Sequence, residues 1–372
     1  MNRRRGIWLA LAVVLLGLGA WLMVTGQGDE PRPERPQVDF PRKMRREDWK
    51  RAEQRRTQVV PQPVDAGPQP TEPQRPRDPV LAALPRGPGR SAVVIEANAL
   101  RYSPIGELLL DCLMRDGGKR MDEFRRMSGV DPLQDLDRVV ITDKGVVLSG
   151  NFSKARFKEL LQERTASDYG PGAKVYEPGS VVVKAEDGSE RRGKDNGVVG
   201  TWNDQLLVVG DTPESVKEVL DQVHGGGSNE PPVISEGSTY GEMYGVLSVE
   251  QIAKLVPPDQ GELAQRLREV ADTVELHMDA RSDVAMVAQI RGQDEGKVTD
   301  LGKSLGAALS VARLKAQAEG NKDMAQMLDF AKVQPDGSEF KLELAVPLDA
   351  IKERLAFCRD ERQATEARQE KP

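Results

Sequence analysis

The chain has 372 residues, of which 38% are hydrophobic and only 4% aromatic, and its formal net charge at pH 7 is −6. This length is ample for one large or two modest folded domains. The residues from Ser91 onward hold 36 basic and 49 acidic side chains, and this acidic balance argues against binding of nucleic acid by the folded part. The shortage of aromatic rings argues against a sugar-binding cleft built on stacking platforms.

The N-terminal segment predicts a membrane anchor. Three arginines at positions 3 to 5 precede an apolar run that we assign, as residues 7–25, to a transmembrane signal-anchor helix. A helix of that length spans roughly 28 Å, close to the roughly 30 Å hydrocarbon core of a bilayer. Trp8 and Trp21 lie near its two ends, as indole rings at headgroup layers do.

The positive-inside rule orients this anchor. We expect a cytoplasmic stub over residues 1–6, insertion in the bacterial cytoplasmic (inner) membrane, and a C-terminal body in the periplasm or outside. Two alternatives stay open. Gly17-Leu18-Gly19 is a small-x-small site that would suit a cleaved signal peptide, and the basic residues after the anchor would also permit the mirror orientation.

Residues 26–90 are predicted to form a disordered, Pro-rich and partly basic linker. The stretch 31–90 holds 13 of the chain's 25 prolines, which favours extended polyproline II over a packed core. One segment of this linker concentrates basic side chains that could contact lipid headgroups or another polyanion. We favour a solvated linker over such binding, because its few apolar residues form no continuous helical stripe. The basic residues are Arg42, Lys43, Arg45, Arg46, Lys50, Arg51, Arg55 and Arg56.

The body that follows is predicted to be α+β and internally duplicated. We assign a first repeat unit to residues 91–224, a hinge to 225–238, a second unit to 239–357, and a polar tail to 358–372. Each unit is expected to run β-α-α-β-β-α-β-β-α, with antiparallel sheet covered by helices. Whether the two units share one continuous sheet is left open.

Local signals predict individual elements within this body. Turn residues place hairpins at 143–145, 177–179, 203–204 and 335–337. The charged segment 186–196 is expected to be an exposed loop, and Ser248 to begin a capping box. A long helix is expected from about residue 295 to 319, with its apolar face formed by Val298, Leu301, Leu305, Ala308 and Ala312.

No motif assigns catalytic, cofactor-binding or metal-binding residues. Gly302 to Gly306 matches G-x-S-x-G but falls inside the predicted long helix, and no histidine follows it, so a hydrolase elbow is rejected. The same stretch has the wrong spacing for a phosphate loop. His224 and His277 are far apart in the chain without a nearby ligand cluster, and His277 is expected to point outward from a strand.

The chain has only two cysteines, Cys112 and Cys358. In an oxidising compartment they could form one disulfide. Two buried free thiols are an equally good interpretation, because both residues fall at apolar helix positions.

The sequence thus favours a non-enzymatic, membrane-anchored envelope protein whose body binds a protein partner or serves in assembly. Its expected contacts are the lipid bilayer through residues 7–25 and an envelope protein, and no cofactor is expected. One alternative is an enzyme or small-ligand binder with a site between the two units. A weaker alternative is lipid or polyanion binding by the basic linker segment.

Overall fold

The computed structural model describes residues 78–354, apart from residues 163, 179, 185–189, 195–196, 227, 229, 255–260 and 282. The predicted anchor, most of the predicted linker with its eight basic residues, and the C-terminal tail lie outside this part of the chain. Within it, no helix combines the length and apolar character that a membrane crossing requires.

The described residues form two compact units. The first comprises residues 78–101 and Gly117–Val246, and the second comprises Tyr102–Asp116 and the described residues from Leu247 onward. Both mix helices with antiparallel strands, as the sequence predicted.

The elements up to residue 223 are, in order, α1 Pro79–Ala82, β1 Ala92–Ile95, α2 Ala97–Arg101, α3 Pro104–Ser128, β2 Leu136–Thr142, β3 Gly145–Gly150, α4 Phe157–Leu160, β4 Thr165–Asp168, β5 Ala173–Glu177, β6 Ser180–Lys184, β7 Glu190–Lys194, β8 Val198–Trp202, β9 Leu206–Gly210 and α5 Pro213–Val223. The remaining elements are β10 Met243–Ser248, α6 Val249–Ala253, α7 Gly261–Val270, β11 Thr273–Asp279, β12 Val284–Arg291, α8 Glu295–Ala318, α9 Lys322–Asp329, β13 Ala331–Asp336, β14 Glu339–Val346 and α10 Leu348–Arg354.

The first unit is built on a large antiparallel sheet with the strand order β10-β1-β2-β3-β9-β8-β5-β4. All five residues of β8 are buried, which indicates a strand covered on both faces. One cover is α5, which begins at a capping box between Thr212 and Ser215. Its buried side chains Val216, Leu220 and Val223 follow the helical period and join the core of this unit.

The start of the folded body lies earlier than the sequence predicted. The linker was expected to extend to residue 90, but Asp78 caps α1 by accepting a 2.9 Å hydrogen bond from the Val80 amide. Val80 and Leu84 are fully buried in the core of the first unit. A proline suits the first turn of a helix, so the Pro-rich composition concealed this short element.

The strand pairing around residues 177–179 also differs from the prediction. The expected hairpin would pair β5 with β6, but β5 pairs with β4 and β8. Strand β6 pairs with β7, so the segment predicted as a loop over residues 186–196 contributes a strand to a separate hairpin. Gly170 and Gly172, both with positive φ, provide the turn that returns β4 to β5.

The second unit contains a four-stranded antiparallel meander in the order β13-β14-β12-β11. The hairpin expected at residues 335–337 is present as β13 and β14. Helices α6, α7 and α8 supply Val249, Leu267, Val298 and Leu301 to an apolar cluster over one sheet face, which includes Phe340 of β14. Ser248 precedes α6 as predicted, but its side chain makes no capping hydrogen bond. The duplication itself stays a prediction.

Candidate interaction surface

Helix α8 is the longest helix of the second unit. It begins after Asp294, whose carboxylate accepts a 3.1 Å hydrogen bond from the Lys297 amide. A carboxylate at this position also interacts favourably with the positive end of the helix dipole. The motif-like stretch Gly302 to Gly306 lies within this helix, as predicted, and not at a strand-to-helix turn.

One face of α8 packs on the sheet. Its buried residues are Val298, Leu301, Gly302 and Ala316. A β-carbon added at Gly302 would lie 3.1 Å from the Phe340 Cβ, so glycine permits the close approach of helix and strand.

The apolar face predicted for α8 is buried only in its first half. Leu305 is half-buried, but Ala308 and Ala312 of the same predicted face are exposed. After Leu305 the inward face continues through Leu309 and Arg313, as the 3.6-residue period requires.

The opposite face of α8 carries an exposed apolar stripe. Val311 is 64% exposed and Leu314 is 61% exposed. At helical spacing on the same face lie further exposed uncharged residues, which define the α8 stripe together with these two: Ser304, Ala307, Ala308 and Ala318. Single exposed apolar side chains are ordinary, but a contiguous group along a helix face marks a contact surface.

Charged side chains border the α8 stripe without interrupting it between residues 304 and 314. Lys303 lies beside it. Lys315 lies on the same face between Val311 and Ala318, and is 3.8 Å from Glu319 in an i,i+4 ion pair. Arg313 turns away from the stripe and contacts Asp329 of α9 at 3.2 Å. An apolar centre with a polar rim is the usual anatomy of a protein interface.

A buried ion pair in the first unit has a different character. Arg138 of β2 donates two hydrogen bonds to Asp78, at 2.6 and 3.0 Å, and the two side chains are 4% and 2% exposed. Nearby, the Tyr244 hydroxyl donates to Glu96 at 2.9 Å. Burial alone would lower the pKa of Arg138, but Asp78 and Glu96 raise it on balance. The guanidinium is therefore a permanent charge that neutralises buried carboxylates, which is a structural role.

A more exposed cluster joins the β2–β3 hairpin to α5. Glu218 contacts Arg90 at 3.2 Å and Lys144 at 2.5 Å, and Arg90 also contacts Asp143 at 2.7 Å. Partial burial raises the pKa of Glu218, but hydrogen bonds from Lys144 and Arg90 lower it on balance. A carboxylate with a lowered pKa is a weak base, so this cluster does not suit general acid–base catalysis near neutral pH.

The second unit carries a polar row on β11, β12 and β14. His277 lies 3.0 Å from Glu275, which Arg291 contacts at 3.3 Å, and Arg291 also contacts Glu339 at 3.2 Å. The prediction that His277 points outward was wrong, because the residue is only 1% exposed. The pKa of Glu339 is raised by burial but lowered on balance by its hydrogen bonds from Gln289 and Arg291.

The histidines and the cysteine singled out from the sequence lie in or directly after different secondary-structure elements. His224 ends α5, as expected, and its ring packs edge-on against Trp202. Among the described residues, no group of His, Cys, Asp and Glu side chains has an arrangement that could hold a metal ion. Cys112 lies in α3 and is half of a disulfide, but Cys358 lies outside the described residues, so the pairing of the two stays a prediction.

Comparison with known proteins adds little to this picture. No protein-family model matches the chain, and no curated protein matches it. A solved structure titled "Structure of crystal form III of TP0453" aligns with a TM-score of 0.43 and 10% sequence identity, covering 74% of this chain and 96% of that chain. A TM-score of this size does not establish a common fold.

Proposed function

We propose that this chain is a single-pass membrane protein of the bacterial envelope whose folded body is a non-enzymatic protein-interaction or assembly module. The anchor is residues 7–25 with the N-terminus in the cytoplasm, and the body lies in the periplasm or outside. The apolar run after three arginines supports this placement, because its length and flanking charge suit a spanning helix.

The observation that carries the interaction proposal is the α8 stripe. Val311 and Leu314 are large apolar side chains in contact with water. Burying each of them against a partner would stabilise the complex by roughly 1.5–3 kcal/mol. Within each ionisable cluster described above, the charged side chains pair with one another. The lowered pKa values of Glu218 and Glu339 suit such structural pairing more than catalysis.

The placement is tested with a tag at the C-terminus of the full chain. In cells whose outer layer has been removed, added protease should digest the tag while a cytoplasmic marker protein stays intact. Protection of the tag until the cells are lysed would contradict the placement.

The interaction is tested by chemical crosslinking in intact cells followed by purification of the full chain. The variant carrying both Val311→Asp and Leu314→Asp should recover its crosslinked protein at least about tenfold less well than the wild type, since loss of two contact anchors costs more than about 1.4 kcal/mol. Ala312→Asp is the matched control, because it adds a carboxylate one residue away on the same exposed helix but outside the stripe. Equal recovery from all three proteins would contradict the proposal.

A further inference from the structure

The α8 stripe has an uneven distribution of side-chain size. Toward its N-terminal half the exposed residues are small, namely Ser304, Ala307 and Ala308. They are followed by the larger Val311 and Leu314, and the small Ala318 ends the stripe. Helices pack when large side chains of one enter the spaces beside small side chains of the other. The stripe therefore presents both the large side chains and the spaces that could receive them.

This distribution is self-complementary in one orientation of two helices. An antiparallel pair centred at the level of Leu309 along the helix places Leu314 level with Ser304 of a second copy and Val311 level with Ala307 of that copy. One register satisfies both contacts, because the two pairs of positions share the same midpoint along the helix. A parallel pair would place large beside large and small beside small, which combines overpacking at one end with a void at the other.

The pair formed by Asp300 and Lys315 favours the same orientation, although Lys303 lies level with Lys315 of the second copy in that register. In the antiparallel register, Asp300 lies within about one helical turn of Lys315 of the second copy. In the parallel register, Lys315 would lie beside its own counterpart and Asp300 beside its own. Opposite charges across a contact fix its register, and like charges disfavour it.

From these observations we infer that the α8 stripe pairs with the α8 stripe of a second copy of this chain in an antiparallel, two-fold symmetric contact. The inference rests on the proposed function and names the partner of that surface. Residues 304–318 span only about 21 Å of helix, so one helix pair buries less than the roughly 1,200–2,000 Å² of a stable interface. The contact is therefore weak in dilute solution and forms where membrane anchors concentrate the chains.

The test uses cysteine pairs in the full chain, because trapping detects a weak contact. Two differently tagged copies are expressed together, one with Ser304→Cys and the other with Leu314→Cys, and the membranes are oxidised. We expect a disulfide-linked dimer that contains both tags, at least fivefold above the wild-type chain, which retains Cys112 and Cys358. Each single variant alone should stay near the wild-type level, since its new thiols lie about 15 Å apart along the paired helices.

Adding Val311→Asp to both copies should reduce the mixed dimer at least fivefold, whereas adding Ala312→Asp should leave it unchanged. Absence of the mixed dimer, or self-linked products from each single variant as abundant as the mixed one, would overturn the inference. If crosslinking in cells captures a different protein through the stripe while the mixed dimer is absent, the self-pairing is wrong and the proposed function stands.

Discussion

Replacing Arg138 with methionine should strongly destabilise the first unit. The substitution retains an apolar stem but removes the guanidinium that lies 2.6 Å from Asp78, and both side chains are almost fully buried. Glu96 is buried as well. Breaking a buried pair by removing one partner costs about 3–5 kcal/mol, because the remaining charge keeps its desolvation cost. For a folded unit of roughly 150–250 residues, that loss corresponds to a fall in melting temperature of about 6–20 °C.

The assay is urea unfolding of the full chain, followed by far-UV circular dichroism. Arg90→Met is the matched control, since Arg90 also binds two carboxylates but its side chain is 21% exposed. Partly exposed pairs contribute up to about 1 kcal/mol. Combining Arg138→Met with Asp78→Asn should recover part of the loss, because the uncompensated charge is removed and an amide can still cap α1. Equal losses from Arg138→Met and Arg90→Met would refute the reasoning.

Three further outcomes are expected. The pKa of Glu218 in the folded chain lies below its unfolded value of about 4.3, so its stabilising contribution is present above that value and is lost as pH falls through the folded pKa. Glu218→Gln should therefore show a smaller drop in urea midpoint between pH 6 and pH 3.5 than the wild type. An equal drop in the two proteins would contradict this. Gly302→Val should destabilise the chain by about 1–3 kcal/mol through overpacking. At Gly306 an added β-carbon meets only ordinary contacts, so Gly306→Ala should stabilise the chain by about 0.5–1 kcal/mol. Thermal unfolding measures both changes. A Cys112–Cys358 disulfide predicts an intact mass, without reductant, two hydrogens lighter than that of the reduced chain, and alkylation of both thiols without reduction would exclude it.

Locally encoded features of the fold could be predicted from the sequence. Two hairpins, β2–β3 and β8–β9, depend on turn residues that lie between their strands. In the second hairpin, Asn203 and Asp204 adopt the positive φ that its tight turn needs. The capping box at Thr212 likewise depends only on its neighbours. The two hairpins were predicted at the places where the structure has them.

Features that depend on distant parts of the chain were missed. Alternation along β11 indicates which side chains share a face, but it does not reveal what covers that face, so the burial of His277 was not predictable. One of the two partners of β5 is β8, which lies beyond an inserted hairpin, and no local signal specifies that pairing. On α8, alanines occur on both faces, so the apolar pattern did not distinguish the buried side from the exposed stripe.

The central claim is that the α8 stripe contacts a protein while the chain is in its native envelope. The most direct measurement places a photoreactive amino acid at Val311 of the full chain in living cells, with the same substitution at Ala312 as the control. We expect a discrete crosslinked protein product from position 311 that is several times stronger than that from position 312. No product above background at position 311, or equal products from both positions, would contradict the account.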